Sequence, residues 1–562
     1  MEKRIFLAVL LSLAILIAYG QIAPMLFPEL AHKPSPATAT AGTSTAPGKS
    51  EPSKPASSTT GTTGTTSSVA AAVVPTPATS AAVPLANVSA AVQKNTAIDT
   101  PLFIATFSNR GAQLVSFKLK RYTTSKGELV ELVKTRPAGR SDYPFAIVTT
   151  TRPLADELNS ALWDVSESHE GANTMLQYRY ARNGVSATKT FKVGPEYLFK
   201  FAVNLTPAVP YRVETGPGIH ALGKDEGQSQ LTITGNGLVQ QNDKLEVFKR
   251  EKIDHLQVFG PDAQFVALED NYFLSVLRPE KASGAVLNRF DEAGPKPGVK
   301  QRELYAALNA TQDGNVAGDA FFGPKEADIV DKYGLERTLQ FGTFGVIARF
   351  FLFALKWINQ TTHNWGWAII VMTILIKIVL YPLQHKSIVS MRKSQKLQPK
   401  VEAIKARYKK AKSDPEQRQK MNVEVMKLYQ SEGVNPMGGC LPMLLQLPIF
   451  WGFYGLLSRA IELRGAPFMG WIHDLSAKDP YYVTPILMTI AMFIQQSITP
   501  TTVDPAQKRM FMIMPIMFFF FFKELPSGLV LYWLVQNVLT VIQQLIMNKW
   551  WKDHPSDPTG NE

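Results

Sequence analysis

The sequence predicts an α+β protein that combines a polytopic membrane bundle of six helical spans with an antiparallel β-sandwich domain. Six apolar stretches, some of them short, resemble membrane spans, and segments that alternate apolar and polar residues fill residues 93–335. With 562 residues, 45% apolar and 19% charged, the chain is too long for one domain. Its single cysteine excludes an intramolecular disulfide, and its eight histidines lack metal-ligand spacing, so we expect neither a metal nor another cofactor.

Residues 1–28 are predicted to form an N-terminal transmembrane anchor. Lys3 and Arg4 precede an apolar run over 5–18 that resumes at 22–27, giving roughly 20 residues, enough to cross about 30 Å of hydrocarbon. A cleaved signal peptide is the alternative, because Ala18-Tyr19-Gly20 is a small-x-small site. The apolar run continues beyond that site, which a cleaved signal does not need, so we expect an uncleaved anchor.

Residues 29–92 are predicted to be a disordered tether. They consist mainly of Ala, Thr, Ser, Pro and Gly, with almost no large apolar side chain. Such a segment buries too little surface to offset its chain entropy.

Residues 93–335 are predicted to form a nearly all-β domain. Apolar and polar residues alternate in 176–180, 185–193 and 197–201, and clusters of Gly, Pro and Asn separate such segments. This pattern predicts a large antiparallel sandwich with one wet face per sheet. The histidines of this region, His169, His220 and His255, are scattered, so we expect no catalytic residue among them.

Residues 340–360 are predicted to form an amphipathic helix. Apolar residues recur there at helical spacing, with Arg349 and Lys356 among them. The apolar positions are 347, 350, 351, 354, 355 and 358. The part with this spacing, 344–358, is too short at 15 residues and too polar with two cations to span, so we expect the helix to lie in the membrane interface. A helix that packs on the β domain is the alternative.

Five further apolar stretches define a helical core over 361–548. They cover 365–383, 440–457, 483–498, 510–522 and 528–547. With the anchor they make six spans, so both termini lie on the same side of the membrane. The loop 384–433 carries thirteen Lys or Arg and five Asp or Glu, whereas the loop 458–482 carries three of each.

This charge asymmetry predicts the orientation of the chain. By the positive-inside rule, loop 384–433, both termini and the short tail 549–562 are cytoplasmic, and the tether and β domain are periplasmic. We therefore expect a multi-pass protein of the cell inner membrane. Because the cytoplasmic loop 384–433 alone carries +8 of the net charge of +13, the basic excess belongs to the membrane topology, and we expect no DNA partner.

The basic loop is predicted to be a helical hairpin with a short coiled-coil seam. Apolar residues advance by three and four before and after Ser413-Asp414-Pro415. They are Leu397, Val401, Ile404 and Tyr408, then Met421, Val425 and Leu428. Its cations have two interpretations: they dock on ribosomal RNA or anionic lipid, or they form a solvated face that only fixes topology.

Lys377 is the one charged residue in the five C-terminal spans. It follows Trp365 by twelve residues, which places it about 18 Å along the helix and within the inner leaflet. A cation there costs at least about 2–3 kcal/mol if unsolvated, so it either snorkels to the cytoplasmic interface or faces a water-filled cavity. Both alternatives remain open from the sequence.

Polar residues in several spans favour the cavity. Thr373 lies one turn from Lys377, and the other spans supply Gln446, Gln495, Gln496, Gln536 and Asn537. Hydrogen bonding between helices is the competing use of these amides. These five spans hold no Asp, Glu or His, so a proton relay or an intramembrane protease lacks its groups, and we expect no enzyme and no catalytic residue. A lone cation instead favours attraction of acidic polypeptide segments.

Several motifs resemble those of the YidC membrane protein insertase family, in the Gram-negative form with a large periplasmic domain. The motifs are Lys377 with Tyr381-Pro382-Leu383, Asn435-Pro436 to Cys440, Gln446-Leu-Pro448-Ile-Phe450, Trp471 to Leu475, Asp479 to Tyr482, and Pro526 to Trp533. The resemblance covers nearly the whole chain. It implies a β-supersandwich and a five-helix core with a hydrophilic groove that is open to the cytoplasm and lipid.

The resemblance also implies functional residues and partners. Lys377 occupies the place of the family's groove arginine, and Thr373, Gln446, Tyr532 and Trp533 match groove or substrate-contact positions. Lysine keeps the charge and loses the bidentate fork. The implied partners are nascent membrane proteins, the Sec translocon and membrane lipids, with ribosome and signal recognition pathway contacts through the basic hairpin. The tail 549–562 has two Lys and three acids, which does not support a ribosome-binding tail.

Two other functions remain open. A passive assembly chaperone or translocon subunit would fold helices that are already inserted, and a periplasmic binding module would use the helices only as an anchor.

Overall fold

The structure is a computed structural model that describes residues 87–124, 126–134, 142–219, 235–293, 300–342, 344–408, 414–434, 441–499 and 505–553. The predicted anchor 1–28 and nearly all of the predicted tether lie outside the described residues. So does most of the predicted tail.

The N-terminal part is built from antiparallel strands. They are β1 Asn95–Asp99, β2 Phe103–Ser108, β3 Gln113–Thr123, β4 Leu129–Glu131, β5 Ala146–Thr149, β6 Asp164–Glu170, β7 Asn173–Arg182, β8 Val185–Val193, β9 Leu198–Thr206, β10 Tyr211–Thr215, β11 Asn236–Gln241, β12 Lys244–Lys249, β13 Gln257–Phe259, β14 Ala263–Glu269, β15 Phe273–Pro279, β16 Ala285–Ala293, β17 Lys300–Asn309 and β18 Asn315–Pro324. The period-two segments of the sequence correspond to β7, β8 and β9, whose side chains alternate between buried and more exposed.

These strands form three sheets. The largest has the order β12-β11-β14-β15-β18-β9-β8-β7-β6, the second has β13-β16-β17-β10-β5, and the third has β1-β2-β3-β4. Aromatic rings join the third sheet to the first: Phe107 lies 4.7 Å from Phe191, and Phe117 lies 5.5 Å from Phe322, centroid to centroid. The described β domain is therefore a multilayer sandwich. One helix, α1 Arg152–Ser160, interrupts it, because Leu158 packs into the core although the segment is too short to stand out in the sequence.

A lysine lies at the centre of this apolar core. Lys189 of β8 is fully buried, and its Nζ donates to the carbonyl oxygens of Gly111 at 2.6 Å, Phe145 at 2.7 Å and Ala112 at 3.3 Å. All three carbonyl-bearing residues have positive φ. Burial lowers the pKa of this ammonium to about 7.

The C-terminal part is helical. Its elements are α2 Ala327–Lys332, α3 Gly345–Thr362, α4 Trp365–Lys396, α5 Gln398–Arg407, α6 Pro415–Ser431, α7 Leu441–Leu457, α8 Val483–Ile498, α9 Pro505–Phe522 and α10 Ser527–Asp553. Each of the five predicted apolar stretches is helical over its described residues. By length and composition, α4 and residues 527–551 of α10 could cross a membrane, whereas α8 and residues 511–522 are shorter apolar helices.

The basic hairpin differs from its predicted bounds at one end. Helix α4 does not stop at 383 but continues to Lys396, because no glycine or proline interrupts 383–396. Beyond it, α5 and α6 pack through an apolar seam that contains Leu397, Val401 and Tyr429. Val425 and Leu428 of the predicted seam pack against this cluster. The hairpin is therefore a direct extension of a predicted span.

Helix α3 has the predicted amphipathic character. Its buried face consists of Ala348, Phe351, Leu352, Leu355 and Ile358. Phe351 meets Phe453 of α7 at a centroid distance of 4.5 Å, so this face packs on the helical part. The outer face leaves large apolar side chains exposed, which are Val346, Phe350, Phe353 and Trp357. Such a face suits an apolar medium.

Polar contacts connect the loop after α7 to α2, to α3 and to the β domain. Glu462 accepts from the backbone N–H of Ala327 at 3.4 Å and lies 3.4 Å from Nζ of Lys356, which also pairs with Asp328 at 2.9 Å. Asn271 donates to the carbonyl of Ser458 at 2.9 Å. Burial raises the pKa of Glu462, and the nearby ammonium of Lys356 opposes this rise.

Candidate functional site

Lys377 points toward helix α10. Its Nζ donates to Oγ1 of Thr540 at 2.9 Å, and only 8% of the residue is exposed. Among the described residues, no carboxylate lies within 4.0 Å of this ammonium. Because an ammonium has three donors, two of its N–H groups remain for other partners.

A chain of hydrogen bonds extends from Lys377 across three helices. Thr540 donates to the backbone carbonyl of Gln536 at 2.7 Å, and Nε2 of Gln536 lies 3.5 Å from Oε1 of Gln446. Nε2 of Gln446 in turn donates to the hydroxyl of Tyr532 at 2.7 Å. We call Lys377, Gln446, Tyr532, Gln536 and Thr540 the polar cluster. It is formed by α4, α7 and α10.

Aromatic packing borders the polar cluster on the side of Tyr532. This side chain is fully buried, and its ring stacks on Phe453 with centroids 4.2 Å apart and planes 12° apart. Trp533 meets Phe450 edge-on at 4.8 Å and lies 5.4 Å from Phe522. These rings fill the space between α7, α9 and α10.

Three of the predicted site residues lie outside this hydrogen-bond chain. Thr373 is fully buried and donates to the carbonyl of Ile369 at 2.6 Å, so its own helix satisfies its hydroxyl. Asn537 is buried, and Trp533 is partly buried. The structure thus joins Lys377, Gln446, Tyr532 and Gln536 of the predicted set, and leaves Thr373, Trp533 and Asn537 beside them.

Several buried polar atoms of α8 and α10 have no hydrogen-bond partner in the described part of the chain. They are Oε1 of Gln536, Nδ2 of Asn537, Nε1 of Trp533, Oε1 of Gln496, and both Oε1 and Nε2 of Gln543. A buried polar atom that makes no hydrogen bond costs about 1–3 kcal/mol. These atoms supply both donors and acceptors, which is the complement of a peptide backbone or of water.

Thr540 and Gln543 were not among the predicted site residues. Together with Gln536 they advance by four and three along α10, so they form a polar stripe on one face of that helix. This spacing indicates a polar helix face. It did not indicate which residue of the stripe meets Lys377.

The loop 458–482 connects several helices through hydrogen bonds. Asp479, 1% exposed, accepts from Nε1 of Trp471 at 3.0 Å, and from N and Oγ1 of Thr484 at 2.8 Å each. Asn364, which caps α4, donates to the carbonyl of Phe468 at 2.9 Å. The loop thereby holds the beginnings of α4 and α8 in place.

The described residues contain no group of three or more His, Cys, Asp or Glu side chains that could hold a metal ion. The side chains of the polar cluster are amides, hydroxyls and one ammonium, which are hydrogen-bonding groups.

Comparison with known proteins identifies the family. Residues 95–354 match the family model described as the YidC periplasmic domain, and residues 357–554 match the one described as 60Kd inner membrane protein. The membrane protein insertase YidC of Geobacter metallireducens is 36% identical, with 98% of each chain covered. That of Oleidesulfovibrio alaskensis is 34% identical, with 98% of this chain and 99% of the relative covered.

A solved structure described as an active YidC insertase with its first transmembrane domain resolved is 21% identical. It covers 82% of this chain and 94% of its own, with a TM-score of 0.35. The family assignment therefore depends on the sequence relatives, which match over nearly the full chain. This chain belongs to the YidC family of membrane protein insertases.

Proposed function

We propose that this chain inserts integral proteins into the inner membrane, and helps them fold, by receiving a hydrophilic segment of the client at the polar cluster. The observation that carries the proposal is Lys377, a buried cation whose one hydrogen-bond partner among the described residues is a neutral hydroxyl. Such a cation attracts the acidic tail of a client. It also lowers the free energy of polar groups that enter the surrounding volume.

The amides around the cluster lower the free energy of a hydrophilic segment that enters the membrane. Each backbone group that leaves water without a partner costs about 1–3 kcal/mol. The unpartnered atoms of Gln536, Asn537 and Gln543 offer donors and acceptors in its place. Because backbone groups are the same in every client, this arrangement suits many sequences.

The apolar segment of the client supplies the driving force. Its transfer into lipid is favourable by roughly 25 cal/mol per Å² of apolar surface, so insertion requires no nucleotide at this site. The protein lowers the barrier and does not change the final equilibrium. In this role the chain is an insertase and chaperone and not an enzyme.

The proposed topology has six spans and both termini in the cytoplasm. The anchor 1–28, the tether 29–92 and the β domain 93–335 precede the interfacial helix 340–360 and the core 361–548. The five apolar helices α4 and α7–α10 support this core, and the exposed apolar outer face of α3 supports an interfacial position. The basic charge of 384–433 supports the orientation.

The proposed partners are nascent membrane proteins, the Sec translocon and lipids, together with ribosomes and the signal recognition pathway at the basic hairpin. The names of the relatives support the first of these. The cations of 384–433 support a docking role for the hairpin. Its ion pairs, such as Lys400 with Glu432 at 2.6 Å, neutralise part of that charge.

Reconstitution tests the proposal. The purified chain in proteoliposomes should insert a small single-span client with an acidic tail in the absence of Sec components. Lys377→Ala should reduce this activity, and Lys377→Arg, which keeps the charge, should retain most of it. Failure of the wild-type chain with several clients would favour a passive assembly chaperone. Equal activity of the wild type and Lys377→Ala would remove the role of the charge.

A further inference from the structure

Thr540 holds Lys377 in a defined direction. The hydroxyl of Thr540 has a single hydrogen, which it donates to the carbonyl of Gln536 one turn earlier at 2.7 Å. Its lone pairs are therefore left for the ammonium, which approaches to 2.9 Å. The threonine acts as an acceptor whose orientation is fixed by its own helix.

The hydrogen bond to Thr540 competes with another position of Lys377, in which its side chain extends to the cytoplasmic interface. A lysine within the inner leaflet gains hydration when its flexible stem extends to the cytoplasmic interface. A hydrogen bond to a charged donor is stronger than one between neutral groups, and it is strengthened further by burial. The bond to Thr540 uses one of the three ammonium donors and leaves two for a client carboxylate.

We propose that Thr540 is a positioning residue that holds the ammonium of Lys377 at the level of the polar cluster and prevents it from snorkelling. The inference rests on the proposed function of the polar cluster, since only there does the position of this charge determine the insertion rate. Thr540 does not contact the client in this proposal. It acts through Lys377.

The test compares four forms of the full-length chain in proteoliposomes: wild type, Thr540→Val, Thr540→Ser and the control Thr489→Val. Valine has the shape of threonine without the acceptor, and serine keeps the acceptor. The control removes a hydroxyl of α8 that, like Thr540, donates to the carbonyl four residues earlier, here Pro485 at 2.8 Å. It reports any general effect of losing a hydroxyl from an apolar helix.

The first readout is the rate at which a water-soluble reagent acetylates Lys377, measured by mass spectrometry relative to the exposed Lys386 of the same helix. Loss of one charged hydrogen bond should raise this rate roughly tenfold in Thr540→Val. Thr540→Ser and Thr489→Val should resemble the wild type. Equal acetylation in Thr540→Val and wild type would overturn the proposal.

The second readout is the ratio of insertion rates for two clients that differ only in an acidic or a neutral tail. A displaced charge should lower this ratio in Thr540→Val and not in Thr540→Ser. A uniform loss for both clients with unchanged acetylation would assign Thr540 a structural role and overturn the inference. Raised acetylation in Thr540→Val, with Lys377→Ala as active as wild type, would support the positioning and refute the proposed function instead.

Discussion

Replacement of Asp479 by asparagine should loosen the loop 458–482. Oδ1 of Asp479 accepts from Nε1 of Trp471 and from the backbone N of Tyr481, each at 3.0 Å. Oδ2 accepts from N and Oγ1 of Thr484. An asparagine has one oxygen, so its NH2 group must face two donors.

The magnitude follows from these contacts. If the NH2 group takes the place of Oδ2, the hydroxyl of Thr484 can rotate and accept a hydrogen bond from it. The backbone N–H of Thr484 can only donate. One buried N–H then loses its acceptor, at a cost of about 1–3 kcal/mol, and the bonds that remain lose their charge assistance. We expect Asp479→Asn to destabilise this region by about 2 kcal/mol. Asp479→Ala, which removes all four acceptor contacts, should cost about 4 kcal/mol.

Hydrogen exchange of the purified protein in detergent measures this effect at the amides of Tyr481 and Thr484. A loss of about 2 kcal/mol corresponds to exchange roughly 30-fold faster if local opening governs it. Glu524→Gln is the control, because Glu524 pairs with Lys478 at 3.2 Å on the surface and should change stability by less than about 0.5 kcal/mol. Unchanged exchange rates in Asp479→Asn would refute the conclusion that the hydrogen bonds of Asp479 hold the loop 458–482 in place.

Three further predictions concern stability. Gly455→Ala should lower the melting temperature and cost about 1–3 kcal/mol of stability, because the new Cβ would overlap the carbonyl oxygen of Phe341. The control Gly345→Ala should be tolerated, because the nearest atom to its Cβ lies 3.9 Å away. Lys356→Met should cost about 2–4 kcal/mol in thermal unfolding, since it leaves the buried carboxylate of Glu462 without its cation. The β domain should become more stable as the pH rises from about 7 towards 10, because the depressed pKa of Lys189 in the folded state means that the unfolded state binds more protons in this range. The free energy of unfolding, measured with urea, should rise by up to about 1.4 kcal/mol per pH unit. Lys189→Met should abolish that slope, and an unchanged slope would assign it to other groups.

The sequence predicts the elements of this protein better than their contacts. Uninterrupted apolar stretches and period-two alternation each mark one type of element, so helices and strands appear where these patterns occur. The alternation also places Lys189 on the buried face of β8, together with Ala187 and Phe191. Its carbonyl partners could not be predicted, because they come from turns 44 or more residues away.

The polar cluster shows the same division. Lys377, Gln446 and Gln536 are conspicuous as polar residues in apolar stretches. The contact between Lys377 and Thr540, which are 163 residues apart in the chain, depends on the rotation and axial offset of their two helices. A single sequence does not determine those two quantities. Side-chain packing between the helices does.

Site-specific photocrosslinking tests the central claim most directly. A photoreactive amino acid would replace Gln446 or Gln536 of the polar cluster, and, as controls, Leu447 or Val538, which lie on exposed faces of the same helices. During insertion, the hydrophilic segment of a client should form adducts mainly at 446 and 536, and Lys377→Ala should weaken them. Equal adducts at all four positions, or adducts at 447 and 538 alone, would contradict a client path through the polar cluster.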